Sequence, residues 1–308
     1  MVKEHKTSVV AHPFVKWAGG KGQLLNEIKK IYSTHLGTKW TKYAEPFVGG
    51  GSVLFHILNE YQLDAVYISD INRELILTYQ VIRDSVQKLV QQLQYLQEEF
   101  IPLSTEDRKR YYGVKRNQFN VLKSENTWSI SNAVECASLF IFLNKTCFNG
   151  LYRVNRSGEY NVPMGSYKKP VICHSENLFS VSEKLQKVQI VCGDYQQSRH
   201  FIDNKTFVYF DPPYRPLSPT SNFTSYTQKE FNDVQQKELA TFINEMSDLR
   251  ALIIASNSDP KNINPEDQFF DRLYDEHHIK RVPATRMINC DSSARGQIKE
   301  LLITNFPM

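Results

Sequence analysis

The sequence has no apolar run near the roughly 18–20 residues that a bilayer-spanning helix needs, so nothing in it reads as a membrane segment. Residues 1–12, MVKEHKTSVVAH, hold no apolar stretch of the kind a secretory signal carries, and a cytoplasmic location is expected. Cys136, Cys147, Cys173, Cys192 and Cys290 are odd in number and include no CxxC pair, which argues against a disulfide framework or a zinc knuckle. Thirteen Gly and 13 Pro in 308 residues are too few for a fibrous or low-complexity chain. The GxSxG elbow of hydrolases is missing. The eight His are dispersed apart from His277-His278, which lack carboxylate or Cys partners at ligand spacing, so no metal is expected.

What is present is an ordinary globular composition, 41% hydrophobic and 23% charged, with a net charge of +4 that is unevenly laid out. Residues 1–42 carry eight Lys and two acidic residues, 108–123 carry six basic residues and no acid, and 144–170 carry five basic residues and Glu159. These windows total +16, leaving −12 on the other 223 residues. Such runs can be plain solvated surface. Interleaved with Tyr111, Tyr112, Phe119, Phe148, Tyr152, Tyr160 and Tyr167, they better fit a phosphate-binding footprint beside base-stacking rings.

The patterning is α/β at both ends. KYAEPF, the turn Gly49-Gly50-Gly51, the helical spacing of Val53, Leu54, Ile57 and Leu58, and the run AVYIS ending at Asp70 read as strand, turn, helix and strand of a parallel sheet. Residues 72–100 read as an amphipathic helix with a bend, stopped near Pro102, and 133–143 as a buried helix. The polar, aromatic and basic stretch that follows has a hairpin turn at Arg156-Ser157-Gly158-Glu159. Strands resume at 188–194, 206–211, 251–256 and 299–306, with a helix at 229–247. One α/β domain, 1–71 with 177–308, interrupted by an insertion at 72–176, accounts for this order.

The most informative segment is Asp211-Pro212-Pro213-Tyr214, placed where open α/β sheets bind ligands, beyond the carboxyl end of a strand. Two prolines and an Asp can simply end a strand. Chemically, a carboxylate and a carbonyl held by a stiff turn can accept both N–H groups of an aromatic amine and localise its lone pair, and Tyr214 can stack on the base. The glycine turn does not complete a dinucleotide fingerprint, because its third glycine position is Leu54. Gly20-Lys21-Gly22 is not a Walker loop, having no glycine five residues earlier and no Ser or Thr after the Lys. Asp70, 19 residues past Gly51, suits an acid that holds ribose hydroxyls.

In order along the chain, FVKWAGGK, EPFVGGGSVLF, YISDIN, NGLYR…GEYNVPMGSYKKP, VYFDPPY and NFTSYT resemble the Dam-like N6-adenine-specific DNA methyltransferases (D12 class, alpha group of the amino-methyltransferases) over nearly the whole chain. The resemblance implies a Rossmann-like S-adenosylmethionine-dependent methyltransferase fold with an inserted, mostly helical recognition domain containing a β-hairpin at about 148–170. It implies S-adenosylmethionine as methyl donor, held by Trp17, Lys21, Phe47, Gly49, Asp70, Asp194, Tyr195 and Asp211. It makes Asp211, Pro212, Pro213 and Tyr214 catalytic, and places Lys16, Phe148, Asn149, Leu151, Arg153, Pro163, Tyr167 and Lys168 at duplex DNA. Arg153 is the candidate guanine reader, since its fork matches O6 and N7 in the major groove. Phe148 keeps the ring of the family's frequent Tyr without its hydroxyl.

The expected product is N6-methyladenine on a flipped-out base, within GATC because the hairpin resembles that of GATC-reading members. A cognate restriction endonuclease acting on the same site, not a bound subunit, is an expected functional partner. The competing readings are methylation of another amine (N4-cytosine, RNA adenine or a protein glutamine) and an inactive DNA-binding relative. The sequence assigns no role to Arg215.

Overall fold

Five consecutive buried residues, Thr206–Phe210, form a central strand that delivers Asp211 to its carboxyl end. The computed structural model describes residues 10–17, 24–32, 35–125, 127–215, 231–285 and 297–307. Lys21, Cys290 and the NFTSYT segment lie outside the described residues.

In chain order the elements are α1 Leu25–Tyr32, β1 Lys42–Glu45, α2 Ser52–Glu60, β2 Ala65–Asp70, α3 Arg73–Phe100, α4 Thr105–Lys123, α5 Ile130–Thr146 and α6 Ser175–Leu185. Then come β3 Val188–Cys192, β4 Thr206–Phe210, α7 Asp233–Asp248, β5 Leu252–Ser258, α8 Phe269–Leu273, β6 His278–Thr285 and β7 Gln297–Thr304. The chain divides into two compact units. The first comprises 1–20, 49–60 and 72–192; the second comprises 21–48, 61–71 and 193–308. The 72–176 segment falls inside the first unit, which continues through α6 and β3.

Among the described residues the second unit holds six strands, in the order β2-β1-β4-β5-β7-β6. β1, β2, β4 and β5 pair in parallel, so their carboxyl ends share one edge, and Phe47, Asp70 and Asp211 lie at or just past those ends. β7 runs antiparallel between β5 and β6. β6 escaped sequence reading because Lys280, Arg281 and Pro283 interrupt its apolar pattern. As an edge strand it tolerates a proline that a central strand would not.

In the first unit, the expected long helix is α3. Asn72 caps it by accepting from Leu75 N, and it bends at Ser85, where φ is −145° and ψ is 32°. It packs along α5, with Phe100 edge-on to Phe142 at 5.2 Å between ring centroids. α4 buries Tyr112 and Phe119, seven residues apart on one helical stripe.

That stripe corrects the reading of the basic windows. Tyr112, Phe119, Tyr152 and Tyr160 are core residues at 7% exposure or less, so they do not offer free faces to bases. Arg108 is likewise committed, donating to the carbonyls of Phe100, Ile101 and Lys168. Aromatic rings spaced along a helix bury before they stack on a ligand, because burial removes far more apolar surface from water.

The hairpin is irregular. It has single antiparallel bridges, Cys147 with Met164 and Val154 with Tyr160, rather than a continuous ladder. Its turn closes with Gly158 N donating to Asn155 O at 2.9 Å, and Gly158 takes the left-handed φ of +79° that this turn requires. Side chains of α4 brace it: Tyr112 donates to Val162 O, Asn120 bonds Tyr160 N and O, and Lys123 donates to Gly158 O.

Candidate functional site

The Asp211-Pro212-Pro213-Tyr214 tetrapeptide begins where β4 ends. Phe210 pairs with Ala255 of β5, which puts Asp211 beside Ser256. Ser256 Oγ donates to Asp211 Oδ1 at 2.9 Å and lies 3.0 Å from Tyr209 Oη. Pro213 O accepts from Gln236 Nε2 at 3.0 Å, and Gln236 Oε1 accepts from Asn257 Nδ2 at 3.1 Å. Asn257 Oδ1 in turn accepts from Arg215 N at 3.2 Å. Tyr214 is half-buried and donates its hydroxyl to Glu300 Oε2 at 2.8 Å. Burial, with the charges of Asp211 and Glu300, pushes its phenol well above the usual range, so it remains a donor.

Arg215 acquires a place here. Its guanidinium grips both oxygens of Asp233 at 2.7 and 3.0 Å and bonds Asp267 at 2.8 Å, so hydrogen bonding to Asp233 raises its pKa further. It thereby ties the residue after the tetrapeptide to the first turn of α7.

The expected donor-binding residues fall into two groups. In the second unit, Val48 N donates to Ser69 O at 3.0 Å and Gly193 N donates to Asp70 O at 3.0 Å, which gathers Phe47, Asp70, Asp194 and Tyr195. Phe47 stacks on Tyr195 with centroids 5.4 Å apart and 28° between planes. Asp194 is exposed and caps the short 3-10 segment that follows by accepting from Gln196 N. In the first unit, Gly49 (φ +48°) packs so closely on Trp17 that a Cβ there would lie 2.8 Å from the indole. Tyr79 Oη donates to Gly49 O at 3.1 Å, and Trp17 stacks at 5.8 Å on Tyr152.

The DNA-face candidates of the first unit are also brought together. Phe148 is 53% exposed, and Asn149 (φ 54°) and Gly150 (φ 65°) follow it in the left-handed region. Phe148 N donates to Pro163 O at 2.9 Å, which joins the two arms of the hairpin. Lys16 Nζ bonds Tyr167 Oη at 3.3 Å and sits 4.4 Å above its ring. Leu151 and Arg153 are half-buried, whereas Asn149, Pro163 and Lys168 are exposed. Arg153 Nε and Nη2 bond Asn161 Oδ1 and O, which orients the guanidinium.

Sequence reasoning missed Ser256, Asn257, Gln236, Glu300, Asn161 and Asn144, whose side chain bonds the Lys16 main chain. Ser256 and Asn257 had a signal: they are polar residues continuing an apolar strand and are 1% and 2% exposed, a costly arrangement unless they are bonded. Gln236, on the buried face of α7, carried no local sign.

The family model described as D12 class N6 adenine-specific DNA methyltransferase matches residues 17–288. The chain is 46% identical over 296 residues to the Type II methyltransferase M.MjaIII of Methanocaldococcus jannaschii, covering 96% of this chain and 99% of that one. It is 33% identical to the Type II methyltransferase M1.LlaDCHI of Lactococcus lactis subsp. cremoris, covering 98% of each. It is 35% identical to the DNA adenine methylase of Escherichia coli K12, covering 94% of this chain and 93% of the relative. The α/β sheet therefore belongs to a methyltransferase fold, and the chain is a member of the D12 class of N6-adenine-specific DNA methyltransferases.

Proposed function

We propose that this DNA adenine methyltransferase methylates N6 of an adenine flipped out of duplex DNA, within GATC. The observation that carries the reading is the tetrapeptide at the end of β4, whose carboxylate and turn are held by buried side chains. Asp211 and the Pro212 carbonyl accept the two N–H groups of the target amine, which returns lone-pair density to the nitrogen. Tyr214 stacks on the base, helping to offset the few kcal/mol that flipping costs.

The residues fit S-adenosylmethionine: a left-handed glycine turn follows β1, a carboxylate ends β2, and the Phe47–Tyr195 ring pair lies beside Asp194. S-adenosylmethionine, when bound, supplies the electrophilic methyl group. Trp17, Lys21, Phe47, Gly49, Asp70, Asp194, Tyr195 and Asp211 hold it in this reading. Residues 72–176 form the recognition region, where Phe148 wedges into the stack and Lys16, Asn149, Leu151, Arg153, Pro163, Tyr167 and Lys168 face the DNA. The Type II names of two relatives favour a restriction-modification setting, with an endonuclease of the same specificity acting separately.

Transfer of labelled methyl to duplex DNA, with Asp211→Ala as control, tests the chemistry. No label under donor-saturating conditions, or label on cytosine, overturns it. Digestion of the product with an enzyme blocked by GATC methylation tests the site, and complete cutting refutes GATC.

A further inference from the structure

We propose that Ser256 and Asn257 of β5, together with Gln236 of α7, are positioning residues for methyl transfer, holding the two halves of the Asp211–Tyr214 turn in reactive register. This rests on the catalytic reading of that turn. Consecutive strand residues point to opposite faces, and here they serve different groups. Ser256 bonds the Asp211 carboxylate, while Asn257 and Gln236 bond the main chain on either side of Tyr214.

The Ser256 link has a defined direction. Its single proton goes to Asp211 Oδ1, so the 3.0 Å contact with Tyr209 has the phenol as donor. Burial and the Asp211 charge raise the Tyr209 pKa well above the usual range, which keeps that phenol protonated. The chain Tyr209 Oη to Ser256 Oγ to Asp211 Oδ1 therefore fixes the rotation of the carboxylate that must meet the amine.

The amide pair supplies what the turn lacks. Pro212 and Pro213 have no N–H, so two consecutive residues of the tetrapeptide cannot anchor themselves by main-chain donation. Gln236 donates to Pro213 O, and Asn257 accepts from Arg215 N while donating to Gln236. The carbonyl before Tyr214 and the amide after it are thus tied to one another through two side chains. Gln236 is fully buried and Asn257 is 2% exposed, so apolar residues would have been the simpler filling for these positions. None of the three is placed on substrate, and the effect passes through Asp211, Pro212 and Tyr214.

The test compares Ser256→Ala and Gln236→Met with wild type and with Met246→Ala. Met246 is a buried residue near the far end of α7, and its truncation destabilises the same helix without touching the turn. At saturating donor and DNA, kcat falls at least about tenfold in the first two variants, because small misplacements of reacting groups are costly. KM for DNA and the Kd for S-adenosylmethionine change by less than about threefold, and Met246→Ala retains wild-type kcat at a comparable loss of Tm. Wild-type kcat in Ser256→Ala and Gln236→Met, a loss confined to KM, or an equal kcat loss in Met246→Ala overturns the proposal. A wild-type chain that labels no DNA overturns the catalytic reading and this proposal together, a separate result from an active wild type with active variants.

Discussion

Asn144 grips the Lys16 peptide from both sides: its Oδ1 accepts from Lys16 N at 2.8 Å and its Nδ2 donates to Lys16 O at 2.8 Å. The second Nδ2 proton goes to Gly150 O at 3.0 Å, so one side chain at the end of α5 fastens the N-terminal block to the base of the hairpin. The approach is close enough that a Cβ on Gly150 would lie 2.5 Å from Lys16 Cβ.

Asn144→Leu should therefore lower stability by about 2–4 kcal/mol, because it leaves main-chain groups of Lys16 and Gly150 without partners. Urea unfolding measures this. A loss below about 1 kcal/mol would show that water replaces the amide without penalty.

Lys123 and Glu74 form a sheltered ion pair, 3.8 Å apart with side chains 12% and 10% exposed, and Tyr152 Oη donates to Glu74 at 2.8 Å. Burial draws the Lys123 ammonium below its usual pKa while Glu74 opposes that shift. Lys123→Met should cost about 3–5 kcal/mol by leaving a buried carboxylate unpaired, and adding Glu74→Leu should recover much of it. Unfolding of the two single variants and the double variant decides the point, since simple additivity is incompatible with a coupled pair.

Lys145, half-buried in the last turn of α5, is drawn down to about 8 by burial and then by the like charge of Lys16. Its ordinary value is 10.5. Between these values the unfolded chain binds more protons than the folded one, so this group makes stability rise with pH across that window. The penalty is complete below about pH 8 and gone above about pH 10.5. Urea midpoints across this range should climb less steeply in Lys145→Met, and identical slopes would remove Lys145 from the account.

Arg153 uses Nε and Nη2 on Asn161, which leaves the other guanidinium donors of its five N–H groups to make an end-on fork. Arg153→Ala should cost about 1–3 kcal/mol of discrimination at one base pair, and Asn161→Ala part of that. Comparing kcat/KM on GATC duplexes with duplexes changed at single positions checks both. A uniform loss on every duplex would make Arg153 a phosphate contact.

Much of the fold was legible because burial leaves a periodic trace. TFVYF reads as a strand and is buried at every position, and the 72–100 pattern is the long helix, including its bend. The tetrapeptide was legible because two prolines after an acidic strand end are locally distinctive. β6 was not, since an edge strand with Lys280, Arg281 and Pro283 has no two-sided apolar pattern to display. The aromatic residues of the basic windows misled for the converse reason: Tyr112 and Phe119 carry the same side chains whether they face a base or a core.

By itself the sequence determined which segments bury a face, where the Asp211–Tyr214 turn sits relative to its strand, and where positive charge collects. Only the tertiary structure decided which side chains hold that turn and which hold the hairpin. Asp211 and Ser256 are 45 residues apart, and Lys16 and Asn144 are 128. Local periodicity records that a residue is turned inward but not what it meets there, so such partners become visible only once the chain has folded back on itself.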